Sequence, residues 1–447
     1  MLDRVGDALY KLVLILCVAF LAFCAGSFVI LGKVFPYELF RDAYLAGNAL
    51  MHQRTDYIDP VKTDLYGKAS TPQRGVVSFD PELVQSGLTL YTSGHTQKAF
   101  LIDFQGNVVH EWYMPYSKVW DKSSAVTDPV DDVNTYFRKA LMYPNGDLLV
   151  VYDGVGDTPH GYGLVKMDRD SKLIWKYLER GHHDIDIAPD GRVFTLTHAI
   201  THHVIEKAAF LQPPRIDDYL VELSPEGKQL KKIPLLETFV NSPFRGMLDI
   251  VPWYLLDAGD FLHTNDVDYV TAEMAAVFDF AKEGQVLISM REPGALALID
   301  LEQEKMSWAI RGPWIGQHDP DMLPNGHFLL FDNNGHFGPG GRSEILEFDP
   351  KTYEVSWSYT GTEDKPFHSV IRGAQERLAN GNTLISDAQN GRMLEVTPDN
   401  RIAWEYMNPE RRGDEDAYIP IISGAHRVDP TMLDPDFRNT LKTPQGG

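Results

Sequence analysis

The chain has 447 residues, 43% of them hydrophobic, and a formal net charge of −22 from 41 Lys+Arg against 63 Asp+Glu. That apolar content is enough for a large core and excludes a disordered chain. The acidic balance excludes a nucleic-acid partner, and the two cysteines exclude a disulfide framework or a cysteine-rich zinc site. Residues Leu12 to Leu31, LVLILCVAFLAFCAGSFVIL, carry no charge and are long enough to cross a bilayer as a helix. No small-x-small cleavage site follows, so an uncleaved anchor is favoured over a signal peptide. Both cysteines, Cys17 and Cys24, lie inside this segment. The predicted boundaries are 1–35 for the anchor, 36–75 for a stalk helix and linker, 76–430 for the main domain and 431–447 for a tail. In the stalk, PYELFRDAYLAGNALMH places Leu39, Tyr44, Leu45 and Leu50 on one helical face, suited to a stalk or to a membrane-protein partner.

From Gly87 to Tyr406 the chain repeats itself. MYPNGDLLVVYD, IAPDGRVFTLTH, KEGQVLISMRE, MLPNGHFLLFDN and LANGNTLISDA are each followed by a strand rich in apolar residues and a last short strand. Turn glycines recur at Gly146, Gly191, Gly284, Gly326 and Gly381. Final-strand tryptophans recur at Trp112, Trp175, Trp308, Trp357 and Trp404. Asn-Gly and Asp-Gly turns between apolar runs are strong hairpin signals, and several short strands per repeat indicate a propeller. Six repeats predict an all-β, six-bladed β-propeller behind an N-terminal transmembrane helix. The first repeat lacks an inner strand, and Tyr418 to Val428, YIPIISGAHRV, is expected to supply it and close the ring.

The strand before each turn should line the central channel. Eight residues before the turn glycine stand Arg138, His183, His318 and, in the last repeat, Gly373 beside Arg372. The fourth repeat has a longer insertion, and its HTNDVDYV offers His263 in the same role, with Asn265 next to it. A single histidine is more often structural, but a set at equivalent repeat positions points to a shared site. Neutral imidazoles serve as bases or nucleophiles near pH 7, and arginine suits a sulfate or phosphate group. Arg342, after the glycine-rich HFGPGGRSE, is a second anion-clamp candidate. Three histidines can also hold a metal, but no HExxH or short-spaced pair is present, so no metal or other cofactor is expected. His198, His202 and His203 read as a loop.

The stretches HHDIDIAPDG, HTNDVDYV, LISMRE, QHDPDMLPNGHFLLFDNNG, GRSEILEFDP and ANGNTLISDAQNGRMLEVTPDNRIAWEY resemble the arylsulfotransferase family, over about residues 76 to 430. The resemblance implies an exported six-bladed propeller that moves a sulfuryl group from an aryl sulfate to a phenolic or other hydroxyl acceptor. It also implies that a channel histidine is transiently sulfated. His263, His318 and Arg342 match the family's sulfate-binding set, and Arg138, Arg372 and Asn265 join them as substrate-binding candidates. The family's sulfated histidine is expected near RGAQERLANG, where this chain has none, so His183 or His368 is the candidate base or nucleophile. The expected location is the inner membrane, single-pass, with the propeller in the periplasm or outside the cell. A propeller that binds a ligand or a membrane-protein partner without catalysis is the alternative reading.

Overall fold

The computed structural model describes residues 2–32, 34–37, 39–40, 59–250, 259–334, 342–362 and 367–442. The chain divides into two compact units, Met1–Ile58 and Asp59–Gly447. The first contains a helix, Leu2–Gly32, with an ion pair from Lys11 to Asp7 one turn away at 2.6 Å. Leu9–Gly32 is long and apolar enough to cross a membrane, and its side chains are exposed. Most of the expected stalk helix, Pro36 to His52, lies outside the described residues.

In the second unit the strands form six blades, five of four strands and the last of five. The innermost strands are partly open to the channel, as Ala374–Arg377 is, and the second strands are mostly buried on both faces because blades pack face to face. Leu148–Gly154, Gln285–Met290, Phe328–Asp332 and Thr383–Asp387 are buried at every position. Their sequences are therefore continuous apolar runs rather than alternating ones. The outermost strands are more exposed instead, as in Val108–Tyr113, where only Val109 and Trp112 are buried. Between the second and third blades Leu149, Val151, Leu164, Ile185, Val193 and Val221 form one dry layer.

The expected ring closure is observed. Ile422–Val428 is the innermost strand of the first blade and pairs with Leu88–Ser93. A second closure lay outside the sequence reading. Gly75–Phe79 adds a fifth, outermost strand to the last blade by pairing with Ile402–Met407. The linker and tail are also not free segments. Tyr66–Lys68 pairs with Tyr418–Pro420, and Phe437 is fully buried beside His110, at a ring distance of 5.2 Å. Phe437 also fills the space over Gly146, whose φ of +85° suits glycine and whose absent Cβ would lie 2.4 Å from that ring.

The repeated tryptophans join neighbouring blades. Trp112 Nε1–H donates to the Gly146 carbonyl, Trp175 to Pro225, Trp357 to Pro398 and Trp404 to Phe104, each at 3.0 Å. Each acceptor lies at a turn of the next blade, and the last bond crosses the point of closure. Trp308 stacks on Phe280 instead, at 4.2 Å.

Candidate functional site

Five of the inner strands carry a β-bulge, at Phe137/Lys139, His182/Ile185, Thr264/Asp266, His318/Asp321 and Ile422/Gly424. A bulge re-aims a side chain, and here the repeated register yields three layers of residues along the channel. The upper layer is Arg138, His183, Asn265, His318, Gly373 and Ser423. The middle layer is Lys139, Asp184, Asp266, Asp319, Ala374 and Gly424. The lower layer is Leu141, Asp186, Asp268, Asp321, Glu376 and His426. All of them line one cavity of about 240 Å³.

One register assignment is corrected. Asn265, not His263, occupies the upper layer in the fourth blade, because the insertion before Gly284 displaces the count from that turn. His263 lies just ahead of the strand Thr264–Tyr269, at φ +46°. It still reaches the site. A second cavity of about 330 Å³ forms the channel mouth, lined by His160, His183, His263, His318, Arg138, Arg291 and Arg372. Arg138, His183 and His318 face both cavities.

Hydrogen bonds fix the state of His318. Asn333 uses its amide N–H groups on the Ser369 and Arg372 carbonyls, at 2.7 and 2.6 Å. Its Oδ1 therefore accepts from His318 Nδ1, 2.6 Å away, with the Gly316 carbonyl at 3.0 Å as a second acceptor. Nδ1 carries the proton, and Nε2 keeps its lone pair. Burial, with Arg138 and Arg291 close by, holds the His318 pKa well below the ordinary histidine value. His263 is the opposite case. Burial lowers its pKa, but Asp260, 2.6 Å from Nδ1, overrides this and leaves it raised. The mouth thus pairs a neutral imidazole with one that favours its cationic form.

The arginines are anchored. Arg372 binds Asp64 at 2.8 Å and Tyr136 at 3.3 Å. Arg291 pairs with Glu292 at 2.9 Å. Arg138 donates to Ser423 at 3.3 Å. Below them Lys139 binds Asp184 and lies 3.9 Å from Asp319. Burial lowers the Lys139 pKa, but the two aspartates override it and hold the ammonium charged. Burial and then neighbouring carboxylates push Asp266 and Asp268 well above the usual range, and Asp321 is raised in the same way by burial and Asp319.

Asp319 is pushed up to about 6, chiefly by burial, from 3.8. Its ionisation therefore destabilises the fold; the cost is absent below pH 4 and complete above pH 6. Asp319→Asn keeps an acceptor for the Gln375 N–H, now at 2.7 Å. We expect it to stabilise the protein by roughly 2–3 kcal/mol at pH 7 and not at all at pH 4, in urea unfolding at the two pH values. Destabilisation at pH 7 would instead show that Lys139 depends on that charge.

Two sequence candidates are not in the site. His368 is exposed, with Asn390 donating to its carbonyl at 3.0 Å, and it lines neither cavity. Arg342 is exposed too and lines neither cavity. Its neighbour Ser343 turns inward to the Asn333 and Ser369 carbonyls. The loop reading of His198 is also corrected: it lies in the strand Val193–Thr201 and is buried, while His202 and His203 follow that strand. Sequence reading missed His160 and Arg291, which have no counterpart at a repeat position. It also missed the acidic layers, although D-x-D recurs in HDIDI, NDVDY and HDPDM.

Fold and site together define a six-bladed propeller with a histidine- and arginine-lined central pocket. The chain belongs to the arylsulfotransferase (ASST) family, whose model matches residues 139–409. No curated protein matches it. Among solved structures it is similar to a protein of unknown function from Bacteroides caccae, at 12% identity and TM-score 0.48, covering 77% of this chain and 99% of that one. It is also similar to a streptogramin B lyase (12% identity, TM-score 0.39, 79% and 88% covered). A third is virginiamycin B lyase from Staphylococcus aureus (10% identity, TM-score 0.34, 61% and 69% covered).

Proposed function

We propose that this protein is a membrane-anchored aryl-sulfate sulfotransferase, held by Leu9–Gly32 with its propeller in the periplasm or outside the cell. The observation that carries the reading is the bare Nε2 lone pair of His318 in a mouth that also holds His263, Arg138 and Arg291. His318 Nε2 attacks the sulfur of an aryl sulfate, and the S–O bond to the aryl group breaks. The phenolate leaves with the proton of the His263 imidazolium. The acceptor hydroxyl then attacks the sulfuryl group on His318 while His263 takes its proton back, and the enzyme is restored. Arg138, Arg291 and Arg372 offer N–H donors to the sulfuryl oxygens throughout.

In this reading the nucleophile comes from the fifth blade, which answers the missing histidine of the last one. Gly373, at φ +115°, stands in the last blade's upper-layer position, and a Cβ there would lie 2.4 Å from the Phe331 ring. No larger side chain fits it. The test is the full-length protein in mild detergent with 4-nitrophenyl sulfate as donor. Nitrophenol release that requires a phenol acceptor and yields the sulfated acceptor is expected. Release without an acceptor, or none, would overturn the reading; stable ligand or partner binding without turnover would favour the non-catalytic alternative.

A further inference from the structure

We propose that His160, His182 and His198 form a buried site for one transition-metal ion of the imidazole-binding class, with zinc as the best fit. Each offers one ring nitrogen, and the three nitrogens lie within 4.8 Å of one another. Zinc–nitrogen bonds of about 2.0–2.1 Å need donors roughly 3.4 Å apart in a tetrahedron, so ring movements of about 1 Å or less complete the set. Three imidazoles and no thiolate suit zinc, copper or nickel rather than magnesium or calcium.

A second observation points to a ligand. His182 is 1% exposed, and its Nε2 has no hydrogen-bond partner among the described residues. His182 Nδ1 is engaged with His183 Nδ1 at 2.7 Å, which leaves Nε2 to find a partner elsewhere. A buried nitrogen without a partner is costly, and a metal would satisfy it. Asp218 Oδ1 lies 3.7 Å from the same Nε2. His198 is steered by the Gly161 N–H, 3.0 Å from its Nε2, and its ring stacks on His182 at 4.2 Å. His160 stands edge-on to both, at 5.7 and 4.9 Å between ring centres. His160 also lines the channel mouth, which gives an ion a way in. The acidic trio Asp184, Asp266 and Asp319 differs, because the Lys139 ammonium already sits at its carboxylates.

The proposal is independent of sulfuryl transfer. Its test uses the full-length protein in mild detergent, freed of metal with a chelator and titrated with Zn²⁺ alone by equilibrium dialysis. The background is His202→Ala with His203→Ala, which removes two neighbouring histidines of the exposed loop. One equivalent of Zn²⁺ and a rise in melting temperature are expected, and Co²⁺ in its place should give the visible absorption of a tetrahedral site. His160→Ala, in a half-buried loop position, is expected to weaken binding by more than about 100-fold; His182→Gln should do the same. Less than one equivalent bound, or affinity unchanged in both variants, overturns the proposal. Zinc binding without sulfuryl transfer would sink only the proposed function, and transfer without zinc binding only this inference.

Discussion

His318→Ala is expected to reduce sulfuryl transfer by about 10³-fold or more while leaving the propeller folded. Positioned proton transfer alone contributes about 10²–10⁴-fold, and losing a nucleophile removes the covalent route altogether. The side chain is buried but partnered mainly by Asn333, whose Oδ1 would be left facing a small cavity. Asn333→Asp is an informative companion: it keeps the acceptor and adds a charge that favours the imidazolium, but it loses the N–H donors to the Ser369 and Arg372 carbonyls. The pH profile of the wild type carries a sign of its own. The active His318 is neutral, and burial holds its pKa well below 6.5. Lowering the pH should therefore raise kcat/KM until His263, whose pKa is raised above 6.5, is protonated, and then leave it flat, with loss only at clearly lower pH. An acid limb centred at 6.5 would assign the essential base to an exposed histidine, and unchanged turnover in His318→Ala would remove this residue from the mechanism.

The second large effect is structural. Arg427, on the closing strand, binds Glu395 of the last blade at 2.7 Å, and the two side chains are 4% and 0% exposed. Glu395 also accepts from Asn382 Nδ2 at 2.7 Å and from the Gln85 N–H at 2.6 Å. Arg427 lies over the Trp404 ring as well, 5.6 Å from its centre. Arg427→Ala leaves the carboxylate buried with neutral donors only, and is expected to cost about 3–5 kcal/mol. Arg427→Met with Glu395→Gln removes both charges, fills the space and keeps a carbonyl for the two remaining donors. That pair should recover most of the loss, giving a strongly non-additive cycle in chemical unfolding. Additive effects, or a single-variant cost under about 1 kcal/mol, would mean that strand pairing alone closes the ring.

The blades were legible because a Pro-Asn-Gly turn and a terminal tryptophan each solve the same local problem in every repeat. Tyr418 to Val428 was legible as a closing strand because the first repeat visibly lacked one. Gly75–Phe79 was not, since its partner is more than 300 positions away. In the site, Arg138, His183 and His318 followed from register. His263 and Asn265 exchanged places because an insertion breaks the count from the turn. His160 and Arg291 come from loops after second strands, where no periodicity marks them. Arg342 and His368 matched by motif and neighbourhood, yet local hydrogen bonds turn Ser343 and Ser369 inward and leave both candidates outside.

The layering of the channel has a consequence for traffic. Beneath the arginines and histidines of the mouth lie six aspartates and one glutamate, answered by Lys139 and His426. A sulfate ester that enters at the mouth meets a floor rather than a passage, because the buried carboxyls below it favour their uncharged form and every one that ionises repels the anion. Donor, departing phenol and acceptor would then share one doorway. The phenol has to vacate before the acceptor can dock, so it should compete with the acceptor and not merely with the donor.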